Sequence, residues 1–519
     1  MKKISFLIAI VFLAFTSIHS QDFTYNNLDF TINDDEVTVT LLGHADGYAA
    51  SGELNIPSVA YWYGNSYTVT IVDNYAFYRC QDLTSLIIPN SLIEIGEGAF
   101  GYCGFTGTVT IPASVEYIGT NPFYGCSSIE SLVVESGNLH YDSRDYCNSI
   151  ISSADNELVS GCKNSIIPNT VTSIGEDAFS FCNSLTNVFI PSSINHFFEN
   201  PFAGCDNLGV ITVDEGNTTF DSRNNCNSII NTSTNELIAG CKNTIIPEGV
   251  VSIGKKAFSY CSNMTGELVI PNSVTTINNY AFEHCDRLTG TLIIPNSVFY
   301  IGQLAFTSCN GFDSLILGEF VTRIDGMAFS ECSGFHGSLV IPNSVEYIGV
   351  GAFLGCNGLG DSLIIGTNVE TIEDAAFNVC SGIHNIVSLA TTPPTIGNFL
   401  FGEAFSCDFL TVPCGCIDVY ENSLWGPNFT TINEDCETVH DNADVKVLVY
   451  PNPTKGVVKI EAKNIQNISI YNILGEKVFE SEINGDTFEY DFGGQEDCIY
   501  FIRVESAENI LTQRIIVRF

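Results

Sequence analysis

The stretch YCSNMTGELVIPNSVTTINNYAFEHC, residues 260–285, carries two cysteines, Cys261 and Cys285, each three residues after a phenylalanine, Phe258 and Phe282. Between them lie one Ile-Pro, one Val-x-x-Ile and one Ala-Phe. The same unit recurs along the chain. Its phenylalanines are Phe77, Phe100, Phe123, Phe179, Phe202, Phe258, Phe282, Phe306, Phe329, Phe353 and Phe377. Their spacing is regular except at two wide steps, Phe123 to Phe179 and Phe202 to Phe258. Each is followed three residues later by Cys80, Cys103, Cys126, Cys182, Cys205, Cys261, Cys285, Cys309, Cys332, Cys356 or Cys380. Each wide step is one ordinary unit with the same added length of chain, and a weaker twelfth unit ends at Phe401.

The regular period, about 23 residues, is that of a solenoid coil in the leucine-rich range. Within one coil, LTSLIIP (83–89) reads as a short strand closed by proline, SLIEIG (91–96) as a second short extended piece, and EGAF as a tight helical turn. Stacking such coils gives parallel sheets with strands ~4.8 Å apart. That spacing lets stacked cysteines reach disulfide distance. Equivalent residues in parallel coils point the same way, however, so their Cβ atoms do not converge. No histidine or second cysteine accompanies them at zinc-ligand spacing. A column of buried free thiols is therefore the favoured reading, with scattered disulfides and a metal site as the alternatives.

Composition sets the class. The 519 residues are 45% hydrophobic and 15% charged, with formal net charge −40, which describes a folded, acidic chain. Nucleic acid is excluded as a partner, since phosphate binding needs basic patches. MKKISFLIAIVFLAFTSIHSQ opens with two lysines and an apolar run and reads as a secretory signal peptide over residues 1–20. Export makes disulfides permissible. Residues 445–519 carry 8 Lys+Arg against 11 Asp+Glu. Residues 21–444 carry 9 against 48, so charge balance changes sharply near 444.

The pattern C-x-x-L-x-x-L-x-I-P-x-S-V-x-x-I-G-x-x-A-F resembles the BspA-like leucine-rich repeat family, over roughly Val37 to Phe405. YDSRDYCNSIISSADNELVSGCKNSIIP (141–168) and FDSRNNCNSIINTSTNELIAGCKNTIIP (220–247) are similar to that family's long repeat variant. The tail, VYPNPTKGVVKIEAKNIQNISIYNILGEKVFE (449–480) with DCIYFIRVESAENILTQRIIVRF (497–519), resembles a type A C-terminal sorting domain of type IX secretion; Cys498 stands where glycine is usual. The resemblance implies a surface or released protein of a Bacteroidota-type bacterium, exported through the periplasm and recognised by the type IX machinery. It names no ligand. The expected organisation is a signal peptide (1–20), an N-terminal cap with the first coil (21–75), leucine-rich repeats (76–405), a C-terminal cap (406–436), a linker (437–444) and a small β-sandwich sorting domain (445–519). The fold class is mainly β, a solenoid with two hairpin insertions.

No residue pattern points to catalysis. The eight histidines form no H-E-x-x-H, and there is no G-x-S-x-G, P-loop or dinucleotide fingerprint. No cofactor or metal is expected. Strand alternation instead places Ile87, Thr110, Val133, Phe189, Thr212, Val269, Ile293, Ile316, Val340 and Ile364 outward. Ser85, Thr108, Ser131, Asn187, Glu267, Thr291, Ser314, Ser338 and Ser362 share that face. Such residues suit any pleated sheet, but a contiguous aliphatic and hydroxyl stripe also suits a protein partner. The expected function is a secreted adhesin or recognition protein. The alternative is a glycan-binding accessory protein in nutrient capture, with a hydrolase third. The two tryptophan-containing stretches, YWYGNSY (61–67) and YENSLWGPNF (420–429), read as end caps or as glycan platforms. In the first insertion, a hairpin turning at Ser153–Asn156 sets Ser152 against Glu157, Ile151 against Leu158 and, carried outward, Cys147 against Cys162; the second copy sets Cys226 against Cys241. Each pair is a possible cross-strand disulfide or two small side chains packed under the hairpin.

Overall fold

The computed structural model describes residues 22–45, 47–402, 409–436, 448–450, 454, 456–472, 477–493, 495, 498–506 and 510–517. The expected signal peptide and linker lie outside these. The chain divides into two compact units, one up to Asp435 and one from Cys436.

The first unit is the solenoid, and each coil has three sides. On the first, the L-x-x-L-x-I segments pair in parallel: Val109 lies beside Leu132, Leu292 beside Leu315, and Leu339, Leu363, Ile386 and Leu410 follow one another. On the second, the isoleucine of V-x-x-I-G sits in a two-residue strand. Ile253, Ile277, Ile301, Ile324, Ile348, Ile372 and Ile396 form one parallel ladder. The following glycine is required by closeness. A Cβ on Gly302 would lie 2.6 Å from the backbone nitrogen of Asn279, and one on Gly349 2.5 Å from that of Gly326.

The third side is a corner built on Ala-Phe. It is not the helical turn expected, because positive φ at Lys256 (57°) and Tyr260 (56°) bracket Phe258, and the same occurs at the other corners from Phe77 to Phe377 except those of Phe123 and Phe202, where only the residue two after the phenylalanine has positive φ. Backbone donors alternate in destination. Lys256, Phe258 and Tyr260 donate to Asn279, Ala281 and Glu283 of the next coil at 2.7–3.0 Å, while Ala257, Ser259 and Cys261 donate three residues back within their own coil. The phenylalanine rings stack from Phe77 to Phe123, from Phe179 to Phe202 and from Phe258 to Phe401, at 4.9–6.2 Å.

Here the role of the cysteine becomes clear. Cys309 Sγ donates to the carbonyl oxygen of Phe282 at 3.0 Å, one coil back. Cys103, Cys126, Cys205, Cys285, Cys332, Cys356 and Cys380 repeat this at 3.0–3.1 Å. The Phe282 oxygen also accepts the Cys285 N–H of its own coil at 3.2 Å, so both its lone pairs are used. A small, apolar side chain with one weak donor fits this place. All eleven repeat cysteines are free, and all but Cys80 are buried. Burial pushes the Cys332 and Cys261 thiols up to about 12 and Cys309 well above its ordinary value.

The two additions are long coils that contain a hairpin. Ser152 pairs with Glu157 and Ile151 with Leu158, as the sequence predicts, but a bulge then shifts Ile150 onto Ser160. Ile229 and Ile230 show the same shift. The expected outward register therefore stops short of the cysteines. Cys147, Cys162, Cys226 and Cys241 are free thiols in this structure. Their sulfur atoms turn to separate partners: the Ser149 and Asn148 carbonyls, the Ser228 hydroxyl and the Asn227 carbonyl. The duplicated D-S-R explains itself as a brace. Arg144 holds Asp142 at 2.6 and 2.8 Å and the hairpin-turn Asn156 at 2.8 Å, and Arg223 does the same with Asp221 and Asn235.

Neither long coil has an Ala-Phe corner, so the corner of Phe123 must meet that of Phe179, and the corner of Phe202 that of Phe258. Asn-Pro-Phe replaces the usual sequence there. Buried Asn200 donates to the Lys256 and Ala257 carbonyls at 2.9 and 3.1 Å and accepts the Phe202 N–H at 2.9 Å. Asn121 fills the matching place before the first long coil. The apolar core falls into three clusters that change over at these coils.

The ends are capped. The strands Asp22–Tyr25, Leu28–Ile32 and Thr38–His44 run antiparallel before the last joins the solenoid. A short helix, Ile417–Glu421, with buried Tyr420 and Trp425 closes the other end. Tyr420 Oη meets Ser388 at 2.6 Å, and Trp425 Nε1 donates to Pro394 at 2.9 Å. Cys414, just before this helix in the chain, is in a disulfide. Among the described residues of the second unit, five antiparallel strands are joined in one hydrogen-bonded set around a core of its own. Val457–Asn472 exchanges partners midway, pairing Ile460 with Val449 and then Ile468 with Val504, and bulges between Glu461 and Asn467 bend it.

Cys309→Ala removes a buried donor and a little volume, and is expected to cost about 1–2 kcal/mol in denaturant unfolding; Cys309→Asp buries an unpaired charge and costs several. The native thiols stay protonated above the pH, about 8.5, where those of an unfolded chain ionise. Above that value the folded state binds more protons than the unfolded one, so stability falls as pH rises. Thiol titration should find few reactive groups in the native protein and many after denaturation, with unfolding midpoints dropping between pH 8 and 10.

Candidate recognition surface on the long-strand side

Pleating decides what the long-strand side shows. Leucine and isoleucine at alternate positions point into the core, and the residues between them point out. Of the ten outward residues expected from sequence, Ile87, Thr110, Val133, Phe189, Thr212, Val269 and Val340 are exposed, while Ile293, Ile316 and Ile364 are half-buried. Register brings several side by side: Thr110 with Val133, Phe189 with Thr212, Ile293 with Ile316, and Val340 with Ile364. The row continues past Ile364 to Val387, Thr411 and Asn433.

Two members escape a reading that treats the long coils as insertions. Ile166 and Ile245 occupy the first isoleucine of Ile-Ile-Pro, the position of Ile87 in its own coil. Their neighbours Ile167 and Ile246 are buried, while Ile166 and Ile245 are the most exposed apolar side chains of the row, at 65% and 76%. The signal was the Ser/Thr-Ile-Ile-Pro ending each long coil.

The row is not one stripe. In each long coil, the segment around Arg144–Tyr146 or Arg223–Asn225 wedges between neighbouring strands. Val134 N–H bonds Ser143 Oγ at 2.9 Å on one side, and Ile166 N–H bonds the Cys147 carbonyl at 2.9 Å on the other. Val213 with Ser222, and Ile245 with Cys226, repeat this. The face is thus three blocks ending at Val133, running from Ile166 to Thr212, and beginning at Ile245. Tyr146, 93% exposed, stands on the first wedge.

The hydroxyl row is partly self-satisfied. Thr291 and Ser314 bond each other at 2.9 Å, Ser362 accepts from Asn385 at 3.2 Å, and Ser131 donates to Asn148 at 2.7 Å. Ser85 is half-buried, while Thr108, Asn187, Glu267 and Ser338 are exposed. The third block is therefore chiefly aliphatic in what it offers, with Glu267 beside Val269. Of the two tryptophans, Trp425 is fully buried and serves the cap. Trp62 stacks on Phe23 at 5.5 Å, leaving Tyr61 and Tyr63 exposed beside it.

Comparison with known proteins agrees with this architecture. The stretches 65–156, 149–240, 228–360 and 336–443 match the family described as BspA type leucine rich repeat region. The chain belongs to the BspA-type leucine-rich repeat proteins. Residues 448–518 match the secretion system C-terminal sorting domain, which directs a chain through type IX secretion to the cell surface or the extracellular space. Among solved structures, the pneumococcal vaccine antigen PcpA is similar at 17% identity and TM-score 0.44, over 80% of this chain and 99% of its own. A leucine-rich repeat protein from Bacteroides ovatus is similar at 20% identity and TM-score 0.37, over 80% and 100%. No curated protein matches.

Ile245→Ser and Ile166→Ser remove exposed side chains that nothing in the core needs. Each is expected to shift unfolding free energy by less than about 0.5 kcal/mol, read by thermal or denaturant melts, whereas Ile246→Ser, one residue inward, should cost about 2 kcal/mol or more.

Proposed function

We propose that this is a non-enzymatic recognition protein, displayed on or released from the cell surface, which grips a protein partner with its long-strand side. The observation that carries the reading is the third block. From Ile245 onward, successive coils present Ile245, Val269, Ile293, Ile316, Val340, Ile364 and Val387, one aliphatic side chain each. Packing inside a coil does not require apolar residues there. Contiguous apolar surface is the usual mark of an interaction site, and a solenoid offers it as a long regular row. The strongly acidic body keeps such a surface soluble.

A role in glycan capture is the second reading, and exposed Tyr61 and Tyr63 in the N-terminal cap favour it. The two separate cleanly. The full chain is screened against host matrix proteins, bacterial surfaces and a glycan array. A protein partner whose affinity falls at least tenfold with Val269→Asp and Val340→Asp, both stable in melts, supports the first reading. Glycan binding lost with Tyr63→Ala, and untouched by the aspartates, would replace it. The tail acts as an address in this reading: a chain lacking residues 445–519 should accumulate in the periplasm, and normal surface display of it would refute that role.

A further inference from the structure

A second surface lies on the corner side and does not depend on the reading above. The residue two after the repeat phenylalanine needs positive φ in nearly every coil. Gly125, Gly204 and Gly355 take this place at φ 71–76° without strain. Tyr102, Phe181, Tyr260 and His284 take it at φ 54–57°, a conformation unfavourable for a bulky side chain. Folding alone favours glycine at this place, so the aromatic side chains need another explanation.

These four rings, with Tyr75, Tyr78 and Tyr124, form one connected ribbon. Centroid distances are 5.9 Å for Tyr75–Tyr78, 5.8 Å for Tyr78–Tyr102, 5.2 Å for Tyr102–Tyr124, 5.4 Å for Tyr102–Phe181, 5.1 Å for Phe181–Tyr260 and 4.5 Å for Tyr260–His284. Glycines beneath make room. A Cβ on Gly125 would lie 2.6 Å from the Tyr102 ring, and one on Gly204 2.4 Å from that of Phe181. Tyr75 and Tyr78 are exposed and the others half-buried. The ribbon ends at His284, for the same position in the next coils holds Ser308, Glu331, Gly355 and Val379.

Carboxylates border it. Tyr75 donates its hydroxyl to Glu97. That bond, with burial and the charges of Glu97 and Asp177, raises Tyr75 to about 12. Burial first, then Glu283 and Asp286, raises Tyr260. The nearby Lys256 is already held by Glu199 at 2.8 Å. The chain itself shows what such rings accept: the Arg79 guanidinium sits 5.2 Å from the Tyr78 centroid, and elsewhere Arg323 sits 3.9 Å from that of Tyr347.

We propose that this tyrosine ribbon docks an arginine-rich segment of a partner protein, with guanidinium groups over the rings and paired to the bordering carboxylates. Electron-rich ring faces attract cations, arginine above all, and the acidic body draws such a segment in. Anionic glycans are repelled by the same charge.

The test titrates the full chain with a short Arg-Gly repeat peptide, with a Lys-Gly peptide and a neutral β-glucan oligosaccharide as comparators. The Arg-Gly peptide should bind more tightly than the Lys-Gly peptide. Tyr78→Leu with Tyr102→Leu, which leaves every charge in place, should weaken it about fivefold or more, and Glu97→Gln should weaken it too. Ile245→Ser on the other surface should not. Equal binding by the double leucine variant reduces the attraction to bulk charge and overturns the proposal. So does absence of peptide binding, or oligosaccharide binding that the leucine variant abolishes.

Discussion

The corner carbonyl of each repeat phenylalanine is the point on which the solenoid turns. In the eight coils from Phe77 to Phe353 that are followed directly by an ordinary coil, it receives one hydrogen bond from its own coil and one from the next coil's thiol, while the neighbouring N–H groups alternate between the two coils. An unpaired buried carbonyl or N–H is expensive. Each coil is therefore complete only when the following one is in register on all three sides. That requirement fixes Phe, Cys, the Ile of V-x-x-I and the Gly after it, and it makes stability a matter of nearest neighbours.

The long coils show what happens when one side is withheld. Two sides still stack, but the corner passes over the whole long coil and the phenylalanine column breaks. Asn121 and Asn200 close the gap because an amide both donates and accepts, and Asn200 covers two carbonyls and an N–H from one buried position. Pro122 and Pro201 follow naturally, since a residue with no N–H leaves none unsatisfied. The extra hairpin then needs its own brace, which the Asp-Ser-Arg motif supplies.

Much of this is readable in sequence because the period repeats each constraint many times. The inward and outward sets follow from alternation, and the cysteine column follows from parallel stacking, which points equivalent side chains the same way. What escapes is local and occurs once or twice. A single-residue bulge at Ile150 moves the cysteines out of the register that a regular hairpin assigns them. Ile166 and Ile245 hide inside stretches that look inserted, although each ends a true coil. The wedge at Arg144–Tyr146 rests on positive φ at Asp145 and Tyr146, which no residue type there announces. The aromatic ribbon is invisible for a related reason: neighbours in it can be as distant along the chain as Phe181 and Tyr260, and only the left-handed corner brings them together.

A coil this short, with three internal sides, has few positions left to vary. On the long-strand side, the outward residue between two inward ones is free. On the corner, the residue two after phenylalanine is free once positive φ is tolerated. These are the places where this chain departs from the cheapest choice, with isoleucine and valine where polar residues would be soluble and tyrosine where glycine would be unstrained. The departures are also regional: the outward aliphatic row runs unbroken by threonine only from Ile245 to Val387, and the aromatic side chains two places after phenylalanine on the corner end at His284. A purely structural rule acting on every coil alike would not divide the solenoid in this way. Two surfaces of different chemistry, on different sides and centred on different halves, account for the division.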